Sequence, residues 1–212
     1  MMPSPTFFIV GITTLIGLFY VKKIWQNKYR YFLFYLFFSF GIEILGYLFK
    51  HHYQIVDFPV YNIYAIVSFF FYQFFYQSLF KKTKNKKLVT IFIITYIVFS
   101  LFYILVLKKN IAQDFFVYNI IVVAVLNIAT LIVFLSEIIS ESDGVLNLYK
   151  TFIFWISVGS LLFFIGVIPI LISSYLLNFN GLFDHILTGL NVLRYGSFAL
   201  AFIMFDRKYI YK

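Results

Sequence analysis

The stretch Leu88 to Leu107, LVTIFIITYIVFSLFYILVL, carries no charged residue, and it is framed by KKTKNKK at 81–87 and by Lys108–Lys109. As a helix rising ~1.5 Å per residue it would be ~30 Å long, the thickness of a bilayer's hydrocarbon core. Working outward, the same pattern recurs in both directions. Apolar blocks are expected at roughly 5–25, 30–50, 59–80, 115–137, 151–177 and 183–205, which with 88–107 makes seven spans. The expected fold is therefore an all-α polytopic membrane protein, a seven-transmembrane-helix bundle in a single domain over residues 1–212. The connections are too short to hold a soluble domain.

Composition agrees. The chain is 63% hydrophobic, 24% aromatic and 12% charged, where soluble domains carry roughly 45–50% apolar and about 25% charged residues. The net charge of +9 does not argue for nucleic acid, because the lysines gather at helix ends and not on one face of a domain. There is no cysteine, so disulfides and thiolate metal sites are excluded. The 14 lysines against three arginines, with many Phe, Tyr, Ile and Asn, suggest an AT-rich bacterial genome. Met1 to Thr6 lacks a charged n-region, and Lys22–Lys23 follow the first block directly, so that block reads as a permanent span and not a cleaved signal.

Charge fixes the expected orientation. One side collects Lys22, Lys23, Lys28, Arg30, Lys81, Lys82, Lys84, Lys86, Lys87, Lys150, Arg207, Lys208 and Lys212, and the other only Lys50, Lys108 and Lys109. By the positive-inside rule the N-terminus is outside and the C-terminus cytoplasmic, with the chain in the inner membrane. Trp25 and Trp155 fall at the cytoplasmic boundary, where indoles prefer to sit. Glu137 to Lys150 is the one acidic connection, and Ser140 to Gly144 reads as a turn without the ligand spacing of an EF-hand.

Two ionisable residues lie within spans, Glu43 and Arg194. Each costs roughly 2.5–3.5 kcal/mol near the bilayer centre on insertion scales, so each should face the bundle interior. A salt bridge between them, direct or through Asn191, is the expected arrangement. Asn62, Asn119 and Asn191 occupy the outer halves of three helices, flanked by Tyr61, Tyr64 and Tyr118. Polar stripes run along Asp184-Thr188-Asn191-Tyr195, along Ser39-Glu43-Gly46-Lys50 and along Asn119-Val123-Asn127-Thr130. Lipid offers no hydrogen bonds, so such stripes turn inward. Glu43, Asn62, Tyr64, Asn119, Asn191 and Arg194 are therefore expected to line one outward-facing pocket, closed inward by Phe, Leu and Ile. The competing reading is that the amides only join one helix to the next.

Gly159, Gly166 and Pro169 stand on the sixth span. Small residues there permit close helix approach, and Pro169 should kink the helix as a hinge. The repeat Val60-Tyr61-Asn62-Ile63 and Val117-Tyr118-Asn119-Ile120 relates the third and fifth spans and so does not match the three-plus-one-plus-three repeat of sugar-exporter folds. His51, His52 and His185, with Asp57 and Asp184 near in sequence, lack paired-ligand spacing, so no metal and no cofactor is expected. The seventh span has no lysine for a retinal Schiff base. No nucleophile–histidine–acid set or phosphate-binding loop is present, and no enzyme activity is expected.

In topology alone the plan resembles the small seven-helix sensory modules of bacterial signalling systems, and no motif narrows it to a family. The leading expectation is a receptor-like module that receives a small-molecule ligand or lipid headgroup from outside. It would signal through a separate protein partner in the membrane or cytoplasm, with no nucleic acid involved. The alternatives are an accessory subunit of a larger membrane complex and a small-solute transporter, for which Gln73 and Gln77 in the inner half are the main support.

Overall fold

The computed structural model describes residues 5–25, 27–53, 58–141, 150–177 and 183–205. Among them are eight helices: α1 (Pro5–Phe19), α2 (Val21–Ile24), α3 (Arg30–His51), α4 (Phe58–Leu79), α5 (Thr83–Leu105), α6 (Val117–Glu141), α7 (Phe152–Leu177) and α8 (Phe183–Met204). The six helices from α3 to α8 are long and apolar enough to cross a bilayer. The chain is a helical membrane protein.

Three runs differ from the sequence expectation, the simplest being α6, which continues past 137 to Glu141. The first block divides at Tyr20, whose backbone (φ −94°, ψ 7°) leaves helical geometry. α1 is thus 15 residues long, ~22 Å at the usual rise, and α2 continues it by one turn. α5 starts at Thr83, inside the lysine cluster and five residues before the apolar run. Lysine is a good helix former, so charge ends the apolar segment without ending the helix.

Contacts fix the arrangement. α3, α4, α6, α7, α8 and α1 follow one another around a ring that closes where α1 packs on α3, and α5 sits outside it against α4 and α6. Directions follow from paired residues. Phe32 meets Phe75 while Phe38 meets Tyr64, so α3 and α4 run opposite ways. Gln73 meets Asn127 and Tyr76 meets Phe134, so α4 and α6 run the same way. Gly11 faces Phe40, Gly17 faces Leu33 and Phe202, and Thr13 bonds the carbonyl of Tyr195. α1 therefore runs against α3 and alongside α8.

α7 and α8 approach most closely. A Cβ on Gly159 would lie 2.5 Å from Ser197 Cβ, and one on Gly166 would lie 2.5 Å from Leu190 Cδ2. These glycines let the two backbones meet. Pro169 lies inside α7, which continues through it to Leu177. Its missing N–H frees the carbonyl of Ile165. Ile91, Ile94, Val98, Leu101 and Leu105 are exposed at spacings of three and four along α5. That stripe is solvated by lipid, not water.

Candidate functional site

Arg194 lies eleven residues from the first and ten from the last residue of α8, roughly 15 Å from either end. It is 2% exposed. The ring of helices places it on the bundle axis, where side chains of α3, α4 and α7 converge. Its Nη2 donates to the hydroxyls of Tyr35 at 2.7 Å and Tyr72 at 3.0 Å, and its Nη1 to that of Tyr64 at 3.5 Å. The guanidinium carbon is 4.4 Å from the ring centre of Phe163 and within 6.0 Å of those of Tyr35, Tyr72, Phe164, Tyr195 and Phe198.

The tyrosines are themselves held. Tyr72 bonds Ser160 of α7 at 2.8 Å, Tyr35 bonds Tyr64 at 3.0 Å, and Tyr35 also donates to Ser68 at 3.3 Å. One turn further along α4, Tyr76 bonds Ser157 at 3.0 Å. The result is a cation at mid-depth surrounded by neutral dipoles and ring faces. A desolvated cation–π contact is worth about 2 kcal/mol, and a hydrogen bond to a charged group about 1.5–3 kcal/mol. Together they offset the roughly 2.5–3.5 kcal/mol that insertion of the charge costs.

Glu43, the expected partner, forms no ion pair with Arg194. The α3 residue that receives the guanidinium is Tyr35, eight positions from Glu43, so ~12 Å lies between them along the axis. The ring centre of Tyr195 lies 5.5 Å from the guanidinium. Asn191 is one turn before Arg194 on α8 and is 9% exposed.

The remaining expected site residues are placed elsewhere. Asn62 donates to the carbonyls of Ile111 at 3.0 Å and Asp114 at 2.7 Å, and accepts from the Phe116 amide at 3.0 Å. It clamps the loop between α5 and α6. Asn119 accepts from Ser100 at 3.1 Å and donates to Tyr96 at 3.0 Å, tying α6 to α5. Both amides therefore serve separate neighbours, not a volume shared with Arg194. Tyr64 and Arg194 come together; Asn62 and Asn119 do not join them. Periodicity placed each amide on an inward face but could not say which helix it faced.

The half of the bundle nearer the lysine-rich α4–α5 turn is less apolar than expected. Gln73 donates to Asn127 at 2.9 Å and accepts from Thr130 at 2.9 Å, all three being buried. These bonds tie α4 to α6, while the Asn127 Nδ2 stays buried without a hydrogen-bond partner among the described residues. Beyond them Glu137, 2% exposed, accepts from the backbone amides of Lys81 at 2.7 Å and Lys82 at 3.4 Å and from the side chain of Asn85. It closes the N-terminal end of α5, where a carboxylate is favoured by the helix dipole. Glu137 belongs to α6 and not to the acidic connection. The stripe Val123, Asn127, Thr130, Phe134, Glu137, at spacings of four and three, carries the signal that finds it.

Among the described residues no three His, Asp or Glu side chains converge. His52 and His185 are exposed, Asp57 and the segment 142–149 lie outside the described residues, and nothing is described of the Asp184 side chain. Comparison with protein-family models, curated proteins and solved structures gives no match to this chain.

Proposed function

We propose that the chain is a receptor-like or sensory module of a bacterial inner membrane, with its working site centred on Arg194 and its state passed to a separate protein partner. The observation that carries this reading is the burial of a permanent cation at mid-depth among neutral groups. Ionisable residues in that position are costly and characteristically serve function. Seven spans, with the N-terminus outside and the C-terminus cytoplasmic, are part of the proposal. α1 lies alongside α8 and runs in the same direction, which favours an odd number of crossings, and the lysine asymmetry favours the orientation. A cytoplasmic reporter should then be active when fused after residue 212 and inactive after residue 55. The reverse pattern would overturn the topology.

A second reading, an accessory subunit of a larger membrane complex, draws on the pairwise use of Asn62 and Asn119 and on the outlying position of α5. Copurification in mild detergent separates the two. The receptor reading expects partner association to change in Arg194→Gln while the chain stays in the membrane. The subunit reading expects association indifferent to Arg194 and lost when Ile94, Val98 and Leu101 on α5 are replaced. The hydrogen bonds from Gln73 to Asn127 and from Thr130 to Gln73 hold α4 against α6 in the lysine-rich half, which weighs against a solute path there.

A further inference from the structure

We infer that the Arg194 cage is a binding site for a small monovalent anion, halide or small carboxylate, held between α3, α4 and α8. This rests on the reading of Arg194 as the working site and names the ligand class it takes. The argument starts from donors and acceptors. A guanidinium presents five N–H groups, and Arg194 makes three hydrogen bonds, one of them at the 3.5 Å limit. Its Nε is fully buried with no hydrogen-bond partner in the protein.

Two further buried donors stand in the same state among the described residues, Asn127 Nδ2 away from the cage and Ser39 Oγ beside it. Ser39 Oγ, on α3 one turn from Tyr35, also has no hydrogen-bond partner, and Ser39 is 2% exposed. It lies beside Tyr64, whose hydroxyl is the long contact of Arg194. Tyr64 is also the one partly exposed member of the three tyrosines bonded to Arg194. Buried groups of this kind are normally satisfied, and each exception calls for a cause.

Charge leads to the same ligand. Among the described residues no carboxylate forms an ion pair with the guanidinium, so the cage they build holds one net positive charge in a medium of low dielectric. One monovalent anion beside Nε neutralises it and accepts from Arg194 and Ser39 together. A single guanidinium is matched by a single negative charge, and a second one would stand uncompensated in the same medium, which sets monovalent above divalent anions. The close ring walls of Phe163, Tyr195 and Phe198 suit a small ion.

The test uses the full chain in mild detergent or nanodiscs. Thermal unfolding is followed while sodium chloride or sodium formate replaces sodium gluconate at constant ionic strength, with sodium sulfate as the divalent arm. Binding to the folded form raises the melting temperature along a saturable curve. Chloride or formate should give that curve; gluconate and sulfate should not. Ser39→Ala removes one buried hydroxyl and keeps the helix-forming backbone, so it should fold, and it should move the half-saturating concentration upward about tenfold. An equal rise with all four salts, or a chloride curve unchanged in Ser39→Ala, would overturn the proposal. Either result leaves the receptor reading to its own test, the dependence of partner association on Arg194.

Discussion

Replacing Tyr72 with phenylalanine and, separately, Tyr76 with phenylalanine removes a single hydroxyl from each of two rings one turn apart on α4. The rings are stacked at 6.1 Å and buried to 1% and 0% exposure. Each hydroxyl bonds a serine of α7, at 2.8 Å for Tyr72–Ser160 and 3.0 Å for Tyr76–Ser157. Only Tyr72 also accepts from Arg194, at 3.0 Å. Interhelical hydrogen bonds in membranes average ~0.6 kcal/mol. Ser157 keeps its bond to the Ile153 carbonyl, so Tyr76→Phe should cost about that much. Tyr72→Phe loses a similar neutral bond plus one to a buried cation, about 1.5–3 kcal/mol, for a total of roughly 2–3.5 kcal/mol. The difference, roughly 1.5–3 kcal/mol, is the share that Tyr72 contributes to holding the charge. Reversible unfolding of both variants in mixed micelles, titrated with a denaturing detergent, measures it. Combining Tyr72→Phe with Ser160→Ala should recover only the neutral part. Equal losses in the two single variants, within ~0.5 kcal/mol, would show that the tyrosine cage does not carry the cation.

Three further outcomes are expected. Asn62→Ala deletes three hydrogen bonds to the α5–α6 loop and should cost roughly 2–4 kcal/mol, with faster hydrogen exchange at the Phe116 amide; unchanged exchange there would contradict the clamp. Gly159→Val sets a side chain against Ser197 Cβ and, at 3.1 Å, the Arg194 carbonyl, an overpacking that should cost about 1–3 kcal/mol. Gly189→Ala meets nothing within 4 Å and should be neutral or slightly stabilising, so similar melting of the two variants would refute the close α7–α8 approach. The Asn110 backbone amide, with Lys109 at 3.3 Å, holds the Asp114 carboxyl below the usual carboxylate range. Since the folded value is the lower one, ordering of this turn is complete above ~3.9 and lost only as pH falls through the folded value. A carboxyl carbon titration of Asp114 with its midpoint above ~4 would reverse that sign.

Helix bounds were largely legible because a bilayer imposes a length. The runs expected at 30–50, 59–80, 151–177 and 183–205 match α3, α4, α7 and α8 to within one residue at each end. Arg194 was legible as well, since a lone arginine in an apolar run has few structural excuses. Its partners were not. In a chain with 18 tyrosines and 31 phenylalanines, nothing marks Tyr35, Tyr64 and Tyr72 as a cage, and opposite charge alone pointed to Glu43. The choice between them depends on which helices surround α8 and at what height, a property of the assembled ring. The same limit applies to Asn62 and Asn119, whose inward faces were readable and whose neighbours were not. Glu137 could have been found by following the α6 stripe one more turn.

The place of Arg194 in the last helix has a consequence for biogenesis. During synthesis α8 leaves the ribosome after every helix that supplies a hydrogen bond to its arginine. Tyr35, Tyr64 and Tyr72, on α3 and α4, are already in the bilayer when that arginine must leave the aqueous channel of the insertion machinery. The ~2.5–3.5 kcal/mol resistance of a central arginine to partition is therefore met by a prepared receptacle and not by lipid. α1 has the opposite history. It is made before those helices, yet one of its docking surfaces, α8, is made after them. Integration of α8 thus both delivers the charge and closes the ring of helices around it.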